Sequence, residues 1–270
     1  MRGAEPDLAL DEISRRLTTA VREAGALALG KFGVPIRKWI KGESSPVCEA
    51  DIEVDQLLRE RLSQAAPGYG WLSEESADDA ARLAARRVWI VDPIDGTRGF
   101  LNGQPDWAVS VALVEDGRPI VAALFAPALD EFLTAIKGEG TRRNGEAVAA
   151  STGDSLKDAR VAGPERLADW FAGFAPGFVR VSRIHSLALR IARVATGALD
   201  AAMAGRESHD WDLAAADLLV HEAGGVLMML DGRMPTYNRS VPVHGALFAA
   251  GRVRHAAVMA AMRGRVSDLA

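Results

Sequence analysis

Leu8, Ile13, Leu17, Val21, Ala24, Leu27 and Ala28 recur at helical spacing between charged positions. That pattern predicts one amphipathic helix from Asp7 to Phe32, ended by Gly33 and Pro35. Ile36 to Lys41 is short and alternates apolar with basic residues, which predicts a strand, and Gly42 to Pro46 reads as a polar loop. The helical period returns from Glu49 to Gln64 through Ile52, Val54, Leu57, Leu58 and Leu62. Pro67-Gly68 turns the chain into a brief strand, Tyr69 to Leu72, and Ala77 to Arg87 reads as helix or loop.

Trp89-Ile90-Val91 has the character of a buried central strand. Strand-like runs follow at Trp107–Glu115, Pro119–Phe125 and Glu131–Ile136, with turn signals at Asp116-Gly117 and at Arg143 to Glu146. Consecutive strands with tight turns predict an antiparallel sheet. Beyond Ser151 to Asp154 the pattern alternates. Strands are expected at Ala159–Ala162, Gly177–Val181, Ala198–Ala204, Val226–Leu230 and Leu247–Ala250. Helices are expected from Pro164, at Ser186–Thr196, at Trp211–Ala223 and from Val253. The expectation is therefore an antiparallel half, residues 1–150, followed by an α/β half, residues 151–270, packed as layers.

The chemistry gathers where the central strand ends, in Trp89-Ile-Val-Asp-Pro-Ile-Asp-Gly-Thr97. Pro93 fixes its own φ and pushes Asp92 out of the helical region. Gly96 permits a tight turn, and Thr97 can open a helix. Asp92 and Asp95 are thereby aimed into one space, where like charges repel. A divalent cation with a taste for hard oxygen ligands, such as Mg²⁺, relieves that repulsion. Three other acidic residues carry signals that are ambiguous one by one. Glu74, in Ser73-Glu-Glu-Ser76, also reads as a solvated acidic loop. Asp212, after Trp211 at the start of an apolar helix, also reads as a first-turn carboxylate. Asp51 also reads as an exposed helix residue.

Composition narrows the partners. Of the 270 residues, 49% are hydrophobic and 25% charged, the profile of an ordinary globular protein. A net charge of −4 supplies no general attraction for nucleic acid or an anionic membrane. Cys48 is the one cysteine, so no disulfide forms within the chain and a reducing compartment fits. No apolar run reaches about 18 residues, and the first residues are acidic and lack an apolar signal core. A cytoplasmic protein is expected.

Together, Lys41-Gly-Glu-Ser-Ser-Pro-Val-Cys-Glu-Ala-Asp51, Ser73-Glu-Glu-Ser76, the Asp92-to-Thr97 run and Trp211-Asp-Leu-Ala-Ala215 leading to Glu222-Ala-Gly-Gly225 resemble the inositol monophosphatase family of metal-dependent, lithium-sensitive phosphatases. The order and spacing match from about residue 8 to the C-terminus. The resemblance implies a five-layer αβαβα sandwich, two or three Mg²⁺ ions, a small-molecule phosphomonoester substrate and a homodimer. By motif, Glu74, Asp92 and the Ile94 carbonyl would hold one ion, Asp92, Asp95 and Asp212 a second, and a weaker third would sit near Glu74. Thr97 and Glu74 would orient and deprotonate water, with Asp51 assisting, and the Gly96 and Thr97 amides would seat phosphate oxygens.

The chain departs from the family pattern in places. Glu43 and Cys48 stand where Asp and Thr are usual, and His185-Ser186 replaces Gly-Ser or Gly-Thr. The position of the inositol-binding glutamate falls near Gly205. Inositol 1-phosphate is the default substrate. The Thr97-to-Phe100 segment and the Lys41-to-Asp51 spacing also resemble 3′(2′),5′-bisphosphate nucleotidases and histidinol-phosphate phosphatases. Arg98 would add charge for a second phosphate, and His209, three residues before Asp212, is a candidate substrate contact. His185, His221, His244 and His255 read as structural, and Trp39 and Trp107 as core. A different class of reading is a regulatory protein- or RNA-binding role on the same fold.

Overall fold

The computed structural model describes residues 9–42 and 45–262. The expected helix start at Asp7 and Leu8, and Glu43, lie outside the described residues. In chain order come α1 (Leu10–Lys31), β1 (Lys38–Lys41), β2 (Ser45–Cys48), α2 (Glu49–Ala65), β3 (Gly70–Ser73) and β4 (Arg87–Asp95). Then follow α3 (Thr97–Leu101), β5 (Ala108–Glu115), β6 (Arg118–Ala126), β7 (Glu131–Ile136), β8 (Thr141–Arg143) and β9 (Glu146–Val148). The rest is β10 (Arg160–Ala162), α4 (Glu165–Ala172), β11 (Val179–Arg180), α5 (Leu187–Ala195), β12 (Ala201–Ala204), β13 (Ser208–His209), α6 (Asp210–Glu222), β14 (Gly225–Met229), β15 (Val243–His244), β16 (Leu247–Gly251) and α7 (Arg252–Ala261).

Two sheets organise these elements. β3 to β9 form a seven-stranded sheet in sequence order, and the second sheet runs β11-β10-β12-β16-β14. α1 and α2 cover the outer face of the first sheet, α5 and α6 lie between the sheets, and α4 and α7 cover the far face of the second. The order is α-β-α-β-α, the five layers expected. The first sheet is not wholly antiparallel, because β3 joins β4 in parallel.

Strand periodicity explains the layering. Along β4 and β5, Trp89, Val91, Val109, Val111 and Leu113 pack toward α1 and α2. The alternate residues Val88, Ile90, Ala108, Ala112 and Val114 pack toward α5 and α6. Both faces of these strands are covered, so each reads as a nearly continuous apolar run. The inner face carries small residues, and α6 answers with Ala214, Ala215 and Ala216, all buried. Small side chains on both surfaces let α6 lie close across β4, β5 and β6. α6 is buried nearly all round, as its broad apolar surface requires.

Other expectations change. β2 stands partly where a polar loop was expected and pairs with β1, the strand expected at Ile36–Lys41, as a ribbon before α2. All four β1 residues are exposed, and Trp39, expected in the core, is 44% exposed. A two-stranded ribbon standing off the main sheet has no interior of its own. Trp107 is fully buried, as expected, edge-on to Phe100. The segment Ala77–Arg87 contributes only a 3₁₀ turn at Ala80–Ala84. The short pair β13–β15 has no counterpart in the sequence pattern. Among the described residues no helix is long and apolar enough to cross a membrane.

Candidate active site

β4 builds the centre of the site. Its pairing to β5 is regular to Asp92–Ser110, then shifts register before Asp95–Ala108. Pro93 lies in the skipped stretch, where a missing N–H costs the ladder nothing. The irregularity places both carboxylates at the strand end. Gly96 follows at φ +92°, and a Cβ there would meet the Ser186 amide at 3.0 Å, so both conformation and space select glycine. Thr97 then opens α3. Its hydroxyl lies 3.0 Å from the Ile94 carbonyl and 3.2 Å from Asp51 Oδ1, as a donor to either.

The neighbouring elements bring the remaining acids. Asp212 is the third residue of α6, and its Oδ2 accepts the His209 amide at 2.6 Å, so it also caps the helix. Oxygens of Asp92, Asp95 and Asp212 all lie within 4.8 Å of one another. Glu74 follows β3, where its amide bonds the Val91 carbonyl and its own carbonyl accepts Lys41 Nζ. Asp95 is anchored from across the layers, because its Oδ2 accepts Ser186 Oγ at 2.5 Å and the Ala188 amide at 2.6 Å. A β4 carboxylate thus satisfies the N-terminus of α5.

These acids line a cavity of about 260 Å³ together with Gly96, Thr97, Arg98, Arg183 and His185. Ile94 and Asp51 stand behind the wall. His209 does not line the cavity; its ring stacks on Trp211 at 4.6 Å and 5°. Gly205, near the expected inositol-binding position, carries no side chain, and neighbouring Arg206 and Glu207 line a separate cavity.

Burial sets the electrostatics. It pushes the Glu74 carboxyl up to about 8, helped by the charges of Asp212, Glu75 and Asp95. It pushes Asp212 up to about 7, helped by Asp95. Asp92 is raised well above the carboxylate range by burial and by Glu74, Asp95 and Asp212. Asp95 is raised less simply, since burial is opposed by the bonds from Ser186 and Ala188. Asp92 Oδ1 is buried without a hydrogen-bond partner. An orphaned carboxylate oxygen beside two more carboxylates is costly unless a cation takes it up. The donors are all hard oxygens, so the set fits a hard divalent ion.

Some contributors were not apparent from sequence. Asp55 on α2 accepts Ser73 Oγ at 2.5 Å and also Ser76 Oγ, pinning both ends of the Glu74 segment. Its signal was its place four residues after Asp51 on the buried face of the helix. Cys48 caps α2 in place of the expected threonine: Asp51 Oδ2 accepts the Cys48 amide and Sγ, each at 2.8 Å. Burial and Asp51 push that thiol up to about 12, so it stays a donor. Cys48→Thr is therefore expected to keep the cap and alter stability by less than about 1 kcal/mol, whereas Cys48→Ala costs about 1–2 kcal/mol. Urea midpoints of the two variants check this, and equal midpoints would count against the thiol bond.

Known proteins bear on this geometry. The model of the inositol monophosphatase family matches residues 9–267. A Mycobacterium tuberculosis protein named histidinol-phosphatase is 37% identical over 235 residues, covering 82% of this chain and 88% of that one. An inositol-1-monophosphatase of Rhizobium meliloti is 36% identical over 220 residues, covering 77% and 82%. A solved structure of a Thermotoga maritima IMPase superposes with a TM-score of 0.81 at 26% identity, covering 94% of this chain and 97% of that one. With the layered fold, the carboxylate cluster and a match over nearly the whole length in agreement, this chain belongs to the inositol monophosphatase family.

Proposed function

We propose that the chain hydrolyses a small-molecule phosphomonoester with Mg²⁺, using the residues of its two halves, 1–150 and 151–270, that meet at the cavity. The observation that carries this reading is the convergence of Asp92, Asp95 and Asp212 oxygens within 4.8 Å, with Glu74 in the same cavity. Asp92, Asp95 and Asp212 would hold one ion. Glu74, Asp92 and the Ile94 carbonyl would hold another, with a weaker third beside Glu74. Bound there, Mg²⁺ offsets phosphate charge and makes a water a competent nucleophile at neutral pH.

The chain's own groups do the rest. Thr97 Oγ1 donates to Asp51 or to the Ile94 carbonyl, so its lone pairs are left to accept a hydrogen from the attacking water. That contact aims the water's lone pair at phosphorus. Glu74, in the same cavity, would take the proton as the carboxylate that bound cations keep ionised. The amides of Gly96 and Thr97 seat phosphate oxygens at the start of α3. Arg98 and Arg183 add positive charge at the cavity wall. No side chain becomes phosphorylated.

The substrate candidates are inositol 1-phosphate and histidinol phosphate, after the activities for which the two relatives are named. Arg98 keeps a bisphosphate such as adenosine 3′,5′-bisphosphate in the comparison. Phosphate release from the three, with Mg²⁺ and with excess chelator, tests the reading. Release from at least one is expected, abolished by the chelator. Release from none, or release indifferent to the chelator, would overturn it.

A further inference from the structure

We propose that His185, aimed by Asp106, reads the alcohol half of the substrate, its Nε2 accepting a hydrogen bond from a donor on the carbon next to the phosphate ester. The inference rests on the phosphatase reading above and assigns a specificity role to a histidine that the sequence pattern marks as structural.

The residue is built into place from three sides. His185 Nδ1 lies 2.9 and 3.0 Å from the two oxygens of Asp106. The His185 amide donates to Asp106 Oδ2 at 2.6 Å, and the Ser186 amide donates to the Asp106 carbonyl at 3.0 Å. One aspartate therefore holds both the backbone and the ring. Beneath the ring, α3 gives way: a Cβ on Gly99 would stand 2.7 Å from His185 Cβ and 2.8 Å from Cγ. Only a glycine lets the imidazole lie this close to the helix that carries the phosphate seat.

The chemistry of the ring follows. A carboxylate at Nδ1 favours the tautomer with its proton on Nδ1, which leaves Nε2 as an acceptor. No described residue takes up Nε2. The other side chains of the cavity cannot serve a hydrogen-bond donor in the same way. The buried carboxylates face the cation positions. Arg98 and Arg183 only donate. The Thr97 lone pairs are given over to the attacking water. Among the described residues of the cavity, His185 is thus the acceptor left for the organic part of the substrate.

The matching substrates are phosphomonoesters bearing a hydroxyl or an ammonium beside the ester carbon. Inositol 1-phosphate supplies the hydroxyl, histidinol phosphate the ammonium, and p-nitrophenyl phosphate supplies neither. The test measures kcat and KM on all three with Mg²⁺ for the unaltered enzyme, His185→Ala, His185→Gln and Asp106→Asn. For whichever donor-bearing ester is turned over, His185→Ala is expected to lower its kcat/KM relative to p-nitrophenyl phosphate by about 10- to 100-fold, the worth of one hydrogen bond to a buried donor. His185→Gln keeps an acceptor at the end of the side chain and should recover most of the ratio. Asp106→Asn should fall between. The ester whose ratio collapses identifies hydroxyl or ammonium as the group read.

A ratio that stays within about threefold, or an equal fall on all three compounds, would reduce His185 to a structural residue and overturn the proposal. If the unaltered enzyme hydrolyses none of these compounds and no adenosine 3′,5′-bisphosphate, the phosphatase reading fails and this one falls with it; turnover of the bisphosphate or of p-nitrophenyl phosphate alone overturns this one and leaves the phosphatase reading standing. A ratio unmoved in an active enzyme condemns His185 alone.

Discussion

Asp95→Asn lowers Mg²⁺-dependent phosphate release by about 10³-fold or more, with the fold intact. Asp95 Oδ2 already accepts two bonds from the start of α5, from Ser186 Oγ and the Ala188 amide. An asparagine keeps its one oxygen there, because an NH₂ cannot accept the Ala188 amide and would leave that buried donor unpaired. The amide nitrogen is then turned toward Asp92 and Asp212. It has no lone pair for a cation, and a negative charge has gone from the cluster. Loss of about 4 kcal/mol of transition-state stabilisation corresponds to about 10³ in rate. Initial rates at saturating Mg²⁺, alongside circular dichroism and a melting curve, measure the effect. A variant within tenfold of the unaltered rate would remove Asp95 from the ion site. Because α5 keeps its cap, the melting temperature without metal should fall little or rise.

The second large effect is a stability that falls with pH in the metal-free protein and is restored by Mg²⁺. Glu74 titrates near 4.5 in an unfolded chain and at about 8 when folded, and Asp212 near 3.8 and at about 7. Between those values the folded state holds protons that the unfolded state has released. Stability is therefore full below about pH 4 as far as these groups are concerned, and it is lost as pH rises toward 8. Divalent ions reverse the trend, since they bind the ionised cluster and only in the folded state. At a thousand times its dissociation constant a ligand adds about 4 kcal/mol, on the order of 10 °C for a chain this size. Melting temperatures at pH 5.5 and 8.5, with chelator and with excess Mg²⁺, should show the largest metal effect at the higher pH. A shift equal at both pH values would mean that the cluster does not titrate with metal binding.

How much of this was legible in the sequence depends on how far apart the cooperating residues lie. Asp92, Pro93, Asp95, Gly96 and Thr97 are neighbours, so the strand end and its chemistry could be read from spacing alone. The layers were legible because β4 and β5 are apolar on both faces while α1 shows a single apolar stripe. Contacts made across the fold left no local mark. Asp95 reaches Ser186 and Ala188 over ninety residues, Asp55 reaches Ser73 and Ser76, and Asp106 finds His185. None of these partners follows from a period or a motif, although Asp55's place one turn after Asp51 put it on the buried face of α2. Of the β1–β2 ribbon, β1 was legible in its alternation but β2 was not: β2 is four residues long and contains Pro46, so its pattern reads as a loop.

The bond between Asp95 and the head of α5 joins a strand of one sheet to a helix that also packs on the other. Asp212 stands at the head of α6, which lies against β4, β5 and β6 of one sheet and β14 of the other. The ion cluster therefore works as a gauge of alignment: its oxygens converge only when two helices and a strand hold their relative depth. A slip of either helix by a fraction of a turn, from a cavity cut far away among the alanines between the layers, would register first as weakened cation affinity and only later as unfolding. In such a protein the inventory of catalytic residues understates the catalytic machinery, since the small side chains that set helix depth tune the site without ever touching what it binds.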